Sequence, residues 1–112
     1  MSAAQKLDKT LTALADPTRR KVVELLRKRP RRAGELADSL KVSPQAMSRH
    51  LRQLRKSGLV EENGLEDDAR VRVYGLRPEP FAALRGWLEE VELFWSDQLE
   101  AFRVHAERGK DK

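Results

Sequence analysis

At 112 residues the chain is long enough for one domain with a modest core and too short for two. It has no cysteine, which excludes disulfides, thiolate metal sites and thiol redox switches. The net charge is +5 and charged residues make up 37%; there is no signal-peptide core or membrane-length apolar run, so a cytoplasmic protein without a membrane partner is expected.

A first helix is predicted from about Ala4 to Ala15, with Leu7, Leu11 and Leu14 on one stripe. Asp16-Pro17 reads as a stop and restart, with Asp16 capping and Pro17 opening the second helix. In that helix Val22, Val23, Leu25 and Leu26 form the buried side, and Arg19, Arg20, Arg27 and Lys28 stay outside. Arg29-Pro30-Arg31-Arg32 is a short basic connection, its cations either solvated or on phosphate. Ala33 to Leu40 forms a short third helix with Leu36, Ala37 and Leu40 inward, Ala37 being small enough for a close helix crossing.

The most informative stretch is Lys41 to Val60, KVSPQAMSRHLRQLRKSGLV. Ser43 suits an N-cap and Pro44 the first helical position, where a missing N–H costs nothing. Arg55 and Lys56 fall in the last turn, and Gly58 can take the left-handed closing conformation. At 100° per residue, Met47, Leu51 and Leu54 converge on one side, while Gln45, Ser48, Arg49, Arg52 and Lys56 converge on the other. From Lys41 to Gly58 there is no Asp or Glu. An ordinary solvated face mixes signs and uses Glu–Lys pairs, whereas arginine and glutamine match guanine and adenine edges in the major groove. Two helices joined by a three-residue turn, the second polar on its outward face, make a helix-turn-helix. His50, at the edge of the buried stripe, reads as a packing or phosphate-contact residue. The charge distribution agrees: residues 1–58 carry 15 Lys and Arg against 5 Asp and Glu, a balance of +10, and residues 59–112 carry 8 against 13, a balance of −5. A basic half of this kind is the footprint of a polyanion binder.

Beyond Gly58 the pattern turns to strands. Leu59 to Glu62 leads to Asn63-Gly64, a turn signal, and Arg70-Val71-Arg72-Val73-Tyr74 alternates with period two. Val71 and Val73 share one side, and Arg70, Arg72 and Tyr74 the other. This ribbon is a wing, and its acidic tip Glu66-Asp67-Asp68 would repel phosphate or pair with Arg70 and Arg72. Pro78 and Pro80 lead into a long final helix from about Glu79 to Ala106, holding Phe81, Leu84, Trp87, Leu88, Val91, Phe94, Trp95, Leu99 and Phe102. That apolar surface exceeds what one neighbour in so small a domain covers, and a two-fold dimer is the usual solution. The expected fold is therefore mostly α with a small β-hairpin, a winged helix-turn-helix in the order α-α-α-α-β-β-α. Residues 1–112 form one DNA-binding domain, with Leu7, Leu11, Leu84, Trp87, Leu88, Val91, Phe94, Trp95 and Phe102 in the dimer interface.

Catalysis finds no support: there is no Gly-rich phosphate loop and no thiol, and neither histidine lies in a pattern that pairs nucleophile and base. No cofactor is called for. The expected partners are double-stranded DNA and a second copy of the chain. Two other readings are a protein-interaction module that leaves the groove face unused, and a ligand sensor with Trp87 and Trp95 lining a pocket between the last helices.

The assembled segments resemble the ArsR-type family of bacterial winged-helix repressors. They are Ala13-Leu14-Ala15-Asp16-Pro17-Thr18-Arg19-Arg20, Glu35-Leu36-Ala37, Val42 to Leu51 and Leu54 to Val60, extended by Tyr74-Gly75-Leu76 and the Trp87 to Trp95 segment. The resemblance covers nearly the whole chain. It implies a homodimeric repressor that leaves a pseudo-palindromic operator when an effector binds. It also implies that Ser43, Gln45, Ser48, Arg49 and Arg52 face DNA and that the wing lies near the adjacent minor groove. Pro44, Lys56, Arg70 and Arg72 complete the expected DNA-binding set. Many members of the family hold metals through cysteines or an Asp-x-His pattern; here the last helix offers only Asp97, Glu100 and His105, so the likeness is to the metal-independent branch and no metal residues are expected.

Overall fold

Helix α1 (Ala3–Leu14) begins with a reciprocal cap: Ser2 Oγ accepts the Gln5 N–H, and the Gln5 side chain accepts the Ser2 N–H. This computed structural model describes residues 2–65 and 68–110, the side chains of 65, 68–70, 109 and 110 excepted. The inward positions of α1 are Thr10 and Ala13 rather than the expected leucine stripe. Both are small enough for close approach to the next helix, and the Thr10 hydroxyl is satisfied by donating to the Lys6 carbonyl at 3.2 Å. Leu14 is half-buried against the core, Leu7 is half-buried, and Leu11 is exposed.

Helix α2 (Pro17–Lys28) starts as expected. Asp16 accepts the Arg19 N–H at 3.0 Å, and Pro17 takes the first helical position. Val22 and Leu26 are buried, with Val23 and Leu25 half-buried against the core. Arg19 and Arg20 are not simply outside. Arg19 Nε donates to the Ala13 carbonyl at 2.8 Å, and Arg20 Nη1 to the Leu14 carbonyl at 2.7 Å. Carbonyls at the end of a helix have no partner within it, and these two guanidiniums fold back to supply one. The basic connection after α2 is likewise structural at Arg31. Its N–H donates to the Tyr74 carbonyl at 3.0 Å, its carbonyl accepts the Tyr74 N–H at 2.7 Å, and its Nε reaches the Leu25 carbonyl at 3.3 Å.

Helices α3 (Ala33–Leu40) and α4 (Pro44–Lys56) are joined by Lys41-Val42-Ser43. Lys41 is left-handed, with φ 55°, and the Val42 N–H returns to the Ala37 carbonyl at 3.0 Å, which closes α3 abruptly and turns the chain. Ser43 caps α4 by accepting the Ala46 N–H at 3.1 Å. At its other end Gly58 has φ 78°, and the Leu59 N–H bonds the Leu54 carbonyl at 3.0 Å. Leu36, Met47, Leu51, Leu54, Leu59 and Val22 are fully buried and form the centre of the core.

Strands β1 (Val60–Leu65) and β2 (Asp68–Leu76) pair antiparallel, Val60 opposite Leu76 and Glu62 opposite Tyr74. Asn63 and Gly64 do not form the turn that their sequence suggests. They continue β1 opposite Val73 and Arg72, and the register shifts only between Gly64 and Leu65. The side that meets the core is the one bearing Val60, Tyr74 and Leu76; Val71 and Val73 lie on the other and remain half-exposed. The buried Val60 and half-buried Leu76 and Tyr74 outweigh two valines in fixing the register, since a shift by one residue would turn all of them outward. Arg77 N–H then bonds the Leu59 carbonyl at 2.9 Å, tying the end of the hairpin to its start.

Helix α5 (Pro78–Lys110) is longer than expected at both ends. Pro78 and Pro80 sit in its first turn, where helix N–H groups lack partners in any case. Residues up to Phe81 form one compact unit with α1 to β2, and the helix from Ala82 onward forms a second. The element order is the expected α-α-α-α-β-β-α.

Candidate nucleic-acid interface

Helix α4 is held from one side only. Met47, Leu51 and Leu54 are buried, and Gln45, Ser48, Arg49, Arg52 and Lys56 on the opposite stripe are all exposed, as are Ser43 and Pro44 at the start. Neither Arg49 nor Arg52 has a hydrogen bond or ion pair with any described residue. Two guanidiniums on one helix face, with no carboxylate between Lys41 and Gly58, present ten N–H donors to whatever lies opposite, none of them bonded to a described residue. A charged helix normally neutralises itself along its own surface; this one leaves its charge available.

His50 lies at the margin of the buried stripe, as expected, with Nδ1 4.0 Å from Asp16 Oδ1. The Asp16 carboxyl is held below its ordinary range, first by the Arg19 backbone N–H. His50 therefore rests against the cap of α2, which ties the middle of α4 to the α1–α2 corner.

The hairpin adds charge of a different kind. Arg72 is exposed, but its Nε lies 3.7 Å from the Glu62 carboxylate, which also accepts from Arg55 Nη1 at 2.7 Å. Glu62 faces Tyr74 across the ladder, and the Tyr74 phenol is pushed up by burial first and by the Glu62 charge second. The acids expected to meet Arg72, Glu66 and Asp67, lie outside the described residues, as do the side chains of Asp68 and Arg70. Glu62 carries no signal in the sequence, because its neighbours come from the diagonal of a ladder and the end of a different helix.

The described residues from Ala82 onward form a helix that is apolar to an unusual degree on its surface. Phe102 is 73% exposed, Phe94 65% and Trp95 61%, and Trp87, Leu88 and Val91 are also exposed, with Leu84 half-buried. Leu93 and Leu99, which were not placed in the expected interface, are exposed as well. No helix of the described chain is long and apolar enough to cross a membrane.

A helix-turn-helix whose second helix offers an acid-free basic face, followed by an antiparallel hairpin, defines a winged-helix DNA-binding protein. The comparisons with known proteins agree. The family described as "Bacterial regulatory protein, arsR family" matches residues 16–62. The HTH-type transcriptional regulator Rv2034 of Mycobacterium tuberculosis is 39% identical over 102 residues, spanning 91% of this chain and 90% of that protein. The transcriptional repressor SdpR of Bacillus subtilis is 30% identical over 57 residues, or 51% of this chain and 63% of that protein. Among solved structures, an ArsR-like transcriptional regulator from Rhodococcus sp. RHA1 superposes with a TM-score of 0.79 at 28% identity, covering 96% of this chain and 97% of that one. The chain belongs to the ArsR family, and it is a DNA-binding transcriptional regulator, not an enzyme.

Proposed function

We propose that the chain acts in the cytoplasm as a homodimeric repressor, each protomer laying α4 into the major groove at one half of a pseudo-palindromic operator. Gln45, Ser48, Arg49 and Arg52 then read base edges or the phosphates beside them. Ser43 and Pro44 set the angle at which the helix starts, and Lys56 lies along the backbone. Arg70 and Arg72 of the hairpin flank the groove. The pairing surface is the apolar side of α5 (the half-buried Leu84 and the exposed Trp87, Leu88, Val91, Phe94, Trp95 and Phe102) together with Leu7 and Leu11 of α1.

The observation that carries this reading is the exposure of Arg49 and Arg52 on an acid-free helix face, with no partner among the described residues. A protein-interaction module would have no need to leave that face uncompensated. The test is binding to the duplex just upstream of the coding region and to random duplex. Arg49→Ala should cost on the order of 1–3 kcal/mol on the former if the guanidinium makes a bidentate contact with guanine. An equal loss on both duplexes would move Arg49 to the phosphates, and no loss on either would sink the groove assignment.

A further inference from the structure

The hairpin's inner face changes character along its length. It begins with Val60 opposite Leu76 in the core, passes through Tyr74 opposite Glu62, and reaches Arg72 diagonally beyond. The Glu62 carboxylate thus lies between the core end of this face and Arg72, and its side chain is only 20% exposed, against 53% for Arg55 and 58% for Arg72. It is shared by two cations from different elements, one in the last turn of α4 and one in β2. Opposite it, the Tyr74 backbone is bonded to Arg31 in both directions at 3.0 and 2.7 Å.

We propose that Glu62 is a positioning residue that restrains the wing electrostatically, holding Arg72 against the foot of α4 through Arg55 and limiting how strongly the hairpin grips phosphate. This rests on the reading above, in which α4 and the hairpin meet DNA together. The physical argument is one of charge. Two guanidiniums around one carboxylate present a net single positive charge, and any phosphate that recruits Arg72 must compete with a carboxylate already in place. Phosphate contacts are blind to sequence, so weakening them lowers affinity for every duplex while leaving the base contacts of α4 intact. Glu62 in this way favours discrimination over total affinity.

The experiment compares the 112-residue chain with Glu62→Gln, Arg72→Gln and the double variant, measuring affinity for specific and random duplex across a salt series. Glutamine keeps the shape and hydrogen-bonding capacity of Glu62 and removes only its charge. Glu62→Gln should bind random duplex more tightly, with the log–log salt slope steeper by roughly one. Its advantage over the parent should then shrink roughly three- to fourfold between about 50 and 200 mM salt, which is what a slope increment of about 0.9 amounts to. The double variant should return to the parental slope. Arg72→Gln alone should change the slope less than Lys56→Gln, an exposed cation with no ion pair among the described residues; this comparison stands even if Glu62→Gln does not fold. An unaltered slope in folded Glu62→Gln, weaker binding to both duplexes, or equal slope changes for Arg72→Gln and Lys56→Gln would each overturn the proposal. Loss of specific binding in Arg49→Ala separates the two readings, since it shows α4 in the groove whatever Glu62 does.

Discussion

Among the described residues, Gly58 and Lys41 take the left-handed conformation that closes a helix, and they make a natural comparison. Gly58 ends α4 with φ 78°, and a Cβ added there would meet nothing within 4 Å. The cost of Gly58→Ala is therefore conformational alone, about 1 kcal/mol of stability by thermal or urea unfolding. Lys41 ends α3 at φ 55° with a Cβ already in place. Lys41→Gly should accordingly stabilise the folded chain, by about 0.5–1 kcal/mol after allowing for the greater freedom of glycine in the unfolded state. If Lys41→Gly loosened the fold, side-chain packing at the turn would have to outweigh the backbone. The first of these positions was readable, since a glycine after a basic last turn is a familiar stop signal. The second was not, because a lysine in that conformation is imposed by the tight turn into α4.

Between elements, the α1–α2 corner shows how a local signal and a tertiary one combine. The cap by Asp16 and the restart at Pro17 follow from adjacent residues and could be read directly. The return of Arg19 and Arg20 to the carbonyls of Ala13 and Leu14 depends on the angle between the two helices, which no periodicity reports. The same distinction explains Arg31 and Glu62, whose partners come from a strand or helix distant in sequence. It also explains Asn63-Gly64, where pairing with β2 carried the strand past a turn signal. Asp16→Ala should remove the cap and cost roughly 1 kcal/mol, within the usual 0.5–2 range. The contribution has a defined pH window. The folded Asp16 pKa lies below its ordinary 3.8, so folding favours the carboxylate; the stabilisation is complete above the unfolded value and fades as pH falls through the folded one. The stability difference between parent and Asp16→Asn, which keeps a capping oxygen but cannot titrate, should therefore be constant from neutral pH down to about 5 and narrow only below about 4. A difference that stayed constant well below about pH 4 would take the carboxylate charge out of the account.

At the scale of the whole molecule, the proposed function has one α4 reading only a few base pairs, so that selectivity for an operator would need two copies at a fixed separation. Groove-reading dimers meet half-sites about 34–36 Å apart, one turn of the double helix. The apolar surface of α5 is the part of the chain suited to hold them there. Exposed aromatic side chains such as Phe94, Trp95 and Phe102 would otherwise be an aggregation liability on a monomer. Trp95→Glu tests this without touching the core unit, because Trp95 lies in the segment beyond Ala82 and is 61% exposed. Buried against its mate, a glutamate would be desolvated next to apolar groups, so the variant should sediment as a monomer with an unchanged unfolding transition in α1 to β2. Joining two half-site contacts typically multiplies affinity by about 10²–10⁴. The monomer should therefore lose roughly that factor on the intact operator and little on a single half-site, so that the two duplexes bind almost equally. A Trp95→Glu protein that remained dimeric, or that kept its preference for the intact operator, would place the pairing surface elsewhere.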